Sequence, residues 1–308
     1  MSENGSNDPR ETVRELAKAL SRERSRPCLV FVDPQIDERS LALVHEACKG
    51  GGASVDVLLH SPGGCSCCAY KIARELNRRF GEVTAFVPLL AKSAATVIAL
   101  SAGELVLGEL GELGPLDAQF SKKQKADFPV DRSCLENFKA LEQLQRYTRD
   151  TFNDLVTTVI ANSGLCAEDA GRLASEVVGK ICLPLYSQID PAELAESARH
   201  LEVGVEYVRR VLRRYRPDLY RQRGEEIIRQ LVWGYPSHGF VLDREELAEI
   251  GIPARTPTAE ETPIIEAMAD KLPELQGGFV IELIDGSEER AVEEAAAVEA
   301  PVEVGHAA

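Results

Sequence analysis

The sequence predicts an α/β fold in which repeated β-α-β units form the core and a helical extension follows them. Between Cys28 and Gly108, short apolar runs rich in Val, Leu and Phe alternate with longer amphipathic segments. That alternation is typical of a mainly parallel sheet with helical crossovers. From Leu135 onward, apolar residues recur at intervals of three and four, which indicates helices.

Each element follows from its local pattern. Glu11 to Arg24 has charged and apolar residues at helical spacing, and the apolar run Cys28–Val32 predicts the first strand. The elements expected after that strand are helix 39–48, strand 54–59, helix 69–80, strand 83–87, helix 93–102 and strand 105–108. The extension is expected to contain helices 135–162, 167–178, 192–215 and 217–232, with a late strand within 277–284.

These patterns divide the chain into five segments. The helix 135–162 carries an apolar stripe that must pack against the core or against a neighbouring subunit, so we expect a homo-oligomer. The predicted segments are a disordered N-terminus (1–9), an α/β core (10–133), a helical extension that completes the core and makes oligomer contacts (134–255), a C-terminal segment (256–284) and an acidic disordered tail (285–308).

The composition excludes several kinds of partner. The 308-residue chain has a net charge of −15 at pH 7. Non-specific binding to nucleic acid or to anionic membranes needs a basic surface, so neither is expected. No apolar run approaches the roughly 20 residues of a membrane helix, and the N-terminus has no signal-peptide pattern. We therefore expect a cytoplasmic protein without an integral membrane segment.

Eight cysteines raise the question of a metal site or of disulfides. Cys65, Cys67 and Cys68 crowd the start of one predicted helix, but no second cysteine pair follows at zinc-ligand spacing. We therefore expect no metal, and small reduced thiols throughout, with Cys65 at the start of the helix as the exception. The chain also has no P-loop or other cofactor motif, so no cofactor is expected.

Two strand ends carry the residues on which the functional prediction rests. The run Ser61–Gly64 (SPGG) follows strand 54–59, and the run Lys92–Thr96 (KSAAT) follows strand 83–87. Glycine lets the backbone aim its N–H groups freely, and a serine at a helix N-terminus lies where the helix dipole favours negative charge. A nucleophile beside backbone N–H donors is what acyl transfer requires.

These two runs, together with Leu113–Asp117 (LGPLD), resemble the Clp-fold serine proteases. The narrower resemblance is to the serine dehydrogenase proteinase family, whose relatives include signal peptide peptidase A. Pro184–Pro191 and Gly234–Asp243 resemble that same family, so the similarity covers roughly residues 10–255. The resemblance implies a Clp/crotonase-like fold, a peptide or protein substrate, and assembly into a homo-oligomer that encloses its active sites.

The residues in these runs have matching expected roles. Ser93 is the expected nucleophile, and the N–H groups of Gly63, Gly64 and Ala94 are the expected oxyanion-hole donors. In the family, the loop that SPGG resembles also supports the substrate backbone. The residues expected to contact substrate are therefore His60 and Ser61.

The general base is left open by the sequence. Clp-type peptidases place a histidine one strand after the serine, whereas the corresponding run here, Gly114–Gln119, contains none. His238, in a turn before an apolar stretch, and Lys139, beside Phe138 on the long helix, are the two candidates. Asp117 is a candidate orienting acid.

Three functions therefore follow from the sequence. The first is a serine peptidase that hydrolyses peptide bonds through a Ser93 acyl-enzyme. The second is a non-catalytic Clp-fold scaffold or interaction protein that has lost its base. The missing histidine after Pro115 supports this second function. The third, crotonase-like acyl-CoA chemistry, shares the oxyanion hole but needs no serine nucleophile, so Ser93 argues against it.

Overall fold

The computed structural model describes residues 8–116, 119–123, 129–275 and 278–286. They form two compact units, one containing the chain up to residue 116 and again from residue 205, the other containing residues 117–204. The predicted disordered ends, 1–9 and 285–308, lie outside the described residues except at 8–9 and 285–286. In sequence, the second unit is therefore an insertion into the first.

Helices and strands alternate along the first part of the first unit. They are α1 (Pro9–Arg24), β1 (Cys28–Val32), α2 (Glu38–Ala47), β2 (Gly52–His60), α3 (Ser66–Arg79), β3 (Phe80–Val87), β4 (Leu90–Ala91), α4 (Ala94–Ser101), β5 (Glu104–Leu107) and β6 (Glu112–Leu113). The helices and strands predicted over this part of the chain are present, with ends that differ by a few residues.

The second unit contains a β-hairpin followed by long helices. Its elements are β7 (Gln119–Lys123), β8 (Pro129–Ser133), α5 (Cys134–Ser163), α6 (Ala167–Tyr186) and the first part of α7 (Pro191–Tyr215). The first unit then continues with the end of α7, α8 (Pro217–Trp233), α9 (Arg244–Ile250), α10 (Thr262–Lys271), a 3-10 turn (Leu272–Leu275) and β9 (Val280–Ile284).

A five-stranded sheet in the order β5-β3-β2-β1-β9 forms the centre of the first unit. β1, β2, β3 and β5 run parallel, with Val30 of β1 opposite Leu58 of β2. β9 pairs antiparallel with β1, so the edge strand comes from the far end of the chain. The predicted α/β fold, with β-α-β units and a helical C-terminal region, is confirmed. Ligands in such sheets bind at the carboxyl ends of the parallel strands.

Helices such as α1 and α10 cover the sheet with one apolar face, whereas α4 is buried on all sides. Alternate strand residues such as Val30 and Leu58 face one side of the sheet, because successive side chains of a strand point to opposite faces. They pack with Val13 and Leu20 of α1 and with Met268 of α10. α4 differs from these amphipathic helices, since all eight of its residues are buried. A helix that is buried on every side belongs to the core. The segment that begins directly after Ser93 is therefore held tightly in place.

The turn between β1 and α2 is fixed by a capping box. The Asp37 carboxylate accepts the Ser40 N–H at 3.1 Å, and the Ser40 hydroxyl oxygen accepts the Asp37 N–H at 2.9 Å. The Asp33 carboxylate accepts the Gln35 N–H at 2.9 Å in the same turn. These bonds fix the backbone around Ile36, which contacts the SPGG run.

In the second unit, α5 and α6 pack side by side. The Thr148 hydroxyl lies 3.2 Å from the Tyr186 hydroxyl, and the Asn137 amide donates to the Ser197 hydroxyl at 2.9 Å. α6 runs past the predicted end at residue 178 and contains Pro184 in its last turn. Within the described ranges, no helix combines the length and the apolar character that crossing a membrane would need.

A cluster of ion pairs joins α1, β2 and the segment before α10. The Arg24 guanidinium contacts the Asp56 carboxylate at 2.6 Å and the Glu261 carboxylate at 2.8 Å. Arg255 contacts Glu261 at 2.6 Å and Glu104 at 2.8 Å. Burial alone would raise the pKa of Glu261, but the hydrogen bonds that it accepts, first of all from Arg255, outweigh burial and lower it. The Asp56 side chain is 0% exposed and depends on Arg24 for a cationic partner.

We expect Arg24→Ala to lower the free energy of unfolding by about 3–5 kcal/mol, because the variant leaves the buried Asp56 carboxylate without its partner. Arg26→Ala is the matched control. Arg26 pairs with the exposed Glu82 at 3.0 Å, and an exposed pair contributes about 1 kcal/mol or less. Urea unfolding followed by circular dichroism at pH 7 measures both. Equal losses in the two variants would contradict this role of Arg24.

Candidate active site

The SPGG and KSAAT runs lie against each other at the carboxyl edge of the sheet. The Ser61 N–H donates to the Leu90 carbonyl at 3.1 Å, and the Lys92 N–H donates to the Ser61 carbonyl at 2.9 Å. Ser61 and Ala91 thereby form a parallel β-bridge. The backbone alone holds the two predicted strand ends in register.

Ser93 adopts a backbone conformation that is rare for a residue with a side chain. Its φ is 52° and its ψ is −121°, and it directly precedes α4. Among the described non-glycine residues, only Ser25 shares a positive φ, at the end of α1. Strain of this kind costs about 1–3 kcal/mol and concentrates at functional sites. A nucleophilic serine on a sharp turn between a strand and a helix is one such case.

The SPGG loop can approach Ser93 only because it contains glycines. Gly63 has a φ of 119°, and a Cβ atom there would lie 2.8 Å from the Ser93 Cβ and 3.2 Å from the Ala94 nitrogen. Gly64 has a φ of 141°, and a Cβ atom there would collide with the Ile36 backbone. The Ile36 N–H donates to the Gly63 carbonyl at 2.8 Å, which holds the loop from its other side. Side chains at either glycine would displace the loop.

The two glycines differ in what their N–H groups do. The Gly63 N–H donates to the buried Ser61 hydroxyl oxygen at 3.1 Å. For the N–H groups of Gly64 and Ala94, no hydrogen bond is found within the described residues. Ala94 is the first residue of α4, where helix N–H groups have no acceptor in their own helix. The N–H of Gly63 is therefore used within the loop, whereas those of Gly64 and Ala94 have no acceptor among the described residues.

A buried threonine ties the Ser93 turn to the LGPLD run. The Thr96 hydroxyl lies 2.9 Å from the Ala91 carbonyl and 2.9 Å from the Gly114 carbonyl, and it accepts the Gly114 N–H at 3.3 Å. Having one proton, the hydroxyl donates to one of the two carbonyls at a time. A Cβ atom at Gly114 would also lie 2.9 Å from the Lys92 Cβ. Thr96 thus links the turn to the segment that follows β6.

The run that contains His238 is bound next to the same turn. The Lys92 ammonium group pairs with the Glu112 carboxylate at 2.7 Å and donates to the Gly239 carbonyl at 3.2 Å. Leu113 and Leu242 exchange two backbone hydrogen bonds, at 3.0 and 3.1 Å. The residue before Ser93 therefore contacts the residue after His238.

The structure brings together some of the predicted site residues. Ser93, Gly63, Gly64 and Ala94 are adjacent, and the His238 turn contacts Lys92. Asp117 lies outside the described residues. Lys139 belongs to α5 in the second unit, and its role as a base stays a prediction.

The predicted substrate contacts, Ser61 and His60, have structural partners of their own. Ser61 is fully buried, with its hydroxyl holding Gly63. The His60 carbonyl accepts the Asp33 N–H at 3.1 Å, and its buried Nδ1 has no hydrogen-bond partner among the described residues. Burial lowers the pKa of His60 to about 4, so the ring is neutral at pH 7. Contact with substrate stays a prediction for both residues.

Sequence reasoning assigned no role to Thr96 or to Ile36. A signal for Thr96 was present, because it is a lone hydroxyl residue in an otherwise apolar helix start. Ile36 acts through its backbone, and no side-chain pattern could have indicated that. Within the described ranges, no group of three or more His, Cys, Asp or Glu side chains is arranged to hold a metal ion.

Comparison with known proteins bears on the segment that contains this site. Residues 26–133 match the family model of the ClpP-like SDH-type serine proteinases. The resemblance predicted from the motifs is therefore confirmed over this segment, which supports a peptidase role. The match includes Ser93 and both loop glycines, whereas the runs 184–191 and 234–243 lie beyond it.

Two uncharacterised proteins of Methanocaldococcus jannaschii share part of the sequence. One is 32% identical over 96 residues, which is 31% of this chain and 33% of the relative. The other is 31% identical over 68 residues, which is 22% of this chain and 23% of the relative. The chain thus spans a third or less of the length of these relatives.

Two solved structures of the 1510-N membrane-bound stomatin-specific protease are also similar, one of them in complex with a substrate peptide. Each is 14% identical with a TM-score of 0.30 and covers 47% of this chain, and the matches span 67% and 63% of the solved chains. Likeness at this level carries no conclusion about the present site.

We expect the stability of the protein to fall between about pH 6.5 and pH 4, partly because of His60. In that range the unfolded chain protonates this histidine and the folded chain does not, so the unfolded state binds more protons. Above about pH 6.5 the stability that depends on the neutral His60 is fully present. Its loss on going to pH 4 amounts to at most about 3 kcal/mol.

Urea unfolding at pH 7.5 and pH 5 measures this effect. His60→Leu should show a smaller loss between the two pH values than the wild type. His200→Gln, at an exposed helical position, should behave as the wild type does. An unchanged pH dependence in His60→Leu would exclude His60 as a source of the loss.

Proposed function

We propose that this protein is a serine peptidase in which Ser93 is the nucleophile. The observation that carries the proposal is the strained turn at Ser93, packed against a loop that only glycine can form. The turn places a half-buried serine at the N-terminus of a fully buried helix. The match of the surrounding segment to ClpP-like SDH-type serine proteinases supports this assignment.

The proposed oxyanion hole consists of the backbone N–H groups of Gly64 and Ala94. Both are without an acceptor among the described residues, and they lie on the two segments that meet at Ser93. Such preorganised donors stabilise a tetrahedral oxyanion by about 3–4 kcal/mol each. Gly63 has a different part, because its N–H is used to shape the loop.

We propose His238 as the general base. Its neighbour Gly239 is bound by Lys92, and Leu242 is paired with Leu113, so the histidine turn is anchored beside the nucleophile turn. Lys92 itself is engaged by Glu112 and by the Gly239 carbonyl, which supports its role as an anchor. Lys139 remains the alternative base.

The proposed reaction uses these groups in order. The Ser93 hydroxyl oxygen attacks the scissile carbonyl carbon while His238 takes the hydroxyl proton, and the Gly64 and Ala94 N–H groups bind the oxyanion. The peptide C–N bond then breaks, and the proton passes to the leaving amine. Water then gives a proton to the same base and attacks the Ser93 ester carbonyl, the C–O bond to Ser93 breaks as the base returns the proton to the Ser93 oxygen, and the second product leaves.

The strain at Ser93 also separates this proposal from the two other candidates. Ser93 combines its φ of 52° with a position at the start of a helix against the glycine loop, which favours catalysis over a scaffold role. Acyl-CoA chemistry needs the N–H donors but not the serine. We further propose a peptide or protein substrate, a homo-oligomeric assembly and a cytoplasmic location, and we propose no cofactor.

A fluorophosphonate probe should label the wild type at Ser93, and Ser93→Ala should lose this labelling, because the probe reacts with activated serines in an oxyanion hole. Ser25→Ala is the matched control, since Ser25 also has a positive φ but is the C-cap of α1 and precedes no helix. It should label as the wild type does. Mass spectrometry of the labelled peptide measures the outcome, and equal labelling of Ser93→Ala would refute the proposed nucleophile.

His238→Gln should slow the labelling of Ser93 by about 10²–10⁴-fold, because the hydroxyl loses its proton acceptor. Lys139→Met is the competing variant and should leave the rate unchanged. Pseudo-first-order rate constants for probe incorporation at a fixed pH distinguish them. The opposite result, a slow Lys139→Met and a normal His238→Gln, would transfer the role of base to Lys139.

A further inference from the structure

Three cysteines, Cys65, Cys67 and Cys68, lie at the start of α3, directly after Gly64. Cys65 is the N-cap of the helix and is exposed, whereas Cys68, three residues later, is 1% exposed. An N-cap side chain faces the third helical position. Residues three apart on a helix lie about 5–6 Å from each other, and disulfides join residues whose Cα atoms are about 4.4–6.8 Å apart.

The surroundings of the three cysteines distinguish Cys65 and Cys68, which form a pair, from Cys67, which does not belong to it. Burial, then the neighbouring Cys65 and Glu38, raise the pKa of Cys68 to about 12. Cys67 instead raises the pKa of Tyr207. Cys65 at the N-cap and Cys68 at the third helical position thus form the adjacent pair, while Cys67 lies near Tyr207 of α7, whose ring stacks on Tyr70 at 4.8 Å.

We propose that Cys65 and Cys68 are a dithiol site that reacts with low-molecular-weight disulfides and forms a reversible intramolecular disulfide. An exposed thiol and a buried thiol in a Cys-x-x-Cys arrangement at the start of a helix, after a parallel strand, is the geometry of redox-active dithiols. The site adjoins Gly64 but uses neither Ser93 nor its base, so it stands independently of the proposed peptidase activity.

The reaction runs in two exchanges. The exposed Cys65 thiolate attacks one sulfur of the small disulfide, forms a mixed disulfide and releases one small thiolate. Cys68 then attacks the Cys65 sulfur, which forms the Cys65–Cys68 bond and releases the second small thiol. The two protons of the protein thiols end on the two released thiols. The protein is oxidised by two electrons and the small disulfide is reduced by two.

The first exchange prepares the second. An ionised Cys65 opposes ionisation of Cys68, and this repulsion disappears once Cys65 is in a mixed disulfide. The mixed disulfide thus removes the contribution of Cys65 to the raised pKa of Cys68, while the contribution of burial, the largest, remains. The buried position of Cys68 protects it from reacting first.

The test is a titration of the full chain with rising ratios of glutathione disulfide to glutathione. Samples are quenched in acid, denatured, labelled with N-ethylmaleimide and digested with trypsin. The tryptic peptide 50–71 contains all three cysteines. It should carry three labels in the reduced wild type and one label, on Cys67, in the oxidised wild type, with a mass about 2 Da below that of a peptide with two free thiols. Dithiothreitol should restore three labels.

Variants make the assignment specific. Cys67→Ser should go from two labels to none on oxidation, as the pair remains. Cys68→Ala, which puts no polar group into the buried position, should keep a glutathione adduct on Cys65. Glutathione incorporation at the exposed Cys166 shows that the oxidant is active in each sample. Three labels at the most oxidising ratio, a disulfide that includes Cys67, or a lasting adduct on Cys65 of the wild type would each overturn the proposal.

Discussion

The contact between the glycine loop and the Ser93 turn is the constraint on which the rest of the site depends. Gly63 lies so close to Ser93 and Ala94 that no side chain fits between them. The two segments meet there because Ser61 bridges Ala91 on one side and Ile36 binds the Gly63 carbonyl on the other. Three backbone segments are therefore fixed by hydrogen bonds that need no particular side chain. The chemistry assigned to the site rests on this backbone frame.

A strained turn persists only where its surroundings leave it no alternative. At Ser93 the following helix is buried on every side. The Thr96 hydroxyl also binds the Ala91 carbonyl before Ser93 and the Gly114 carbonyl beyond the helix. Toward the other end of the strands, the Arg24 and Arg255 ion pairs join α1 to the segment before α10. Stability is thus concentrated in the sheet and its helices, and the carboxyl edge can hold a conformation of higher energy.

The sequence predicted the parallel strands well, because runs such as Cys28–Val32 are apolar throughout and are bounded by turns. It predicted the positions of Ser93 and the two glycines for a related reason, since carboxyl ends of neighbouring parallel strands must meet. It could not distinguish the two glycines, because the difference depends on which N–H the Ser61 hydroxyl accepts. Nor could it predict the length of α6, which continues through Gly179 and Pro184 because a proline in a last turn removes only one hydrogen bond.

The division of the chain into two units explains why the sequence offers no obvious general base beside Ser93, and why the proposed base, His238, lies far from it in sequence. The family match ends at residue 133, and the first unit resumes only at residue 205. Residues that complete this unit, including the His238 turn, are therefore separated from Ser93 by the whole inserted helical unit. Pattern reasoning looks for a base one strand after the serine. The pairing of Leu113 with Leu242 instead joins that strand to a turn from the far side of the insertion. The run after Pro115 contains no histidine in sequence. Backbone pairing of Leu113 with Leu242 nevertheless brings the turn that contains His238 close to that run.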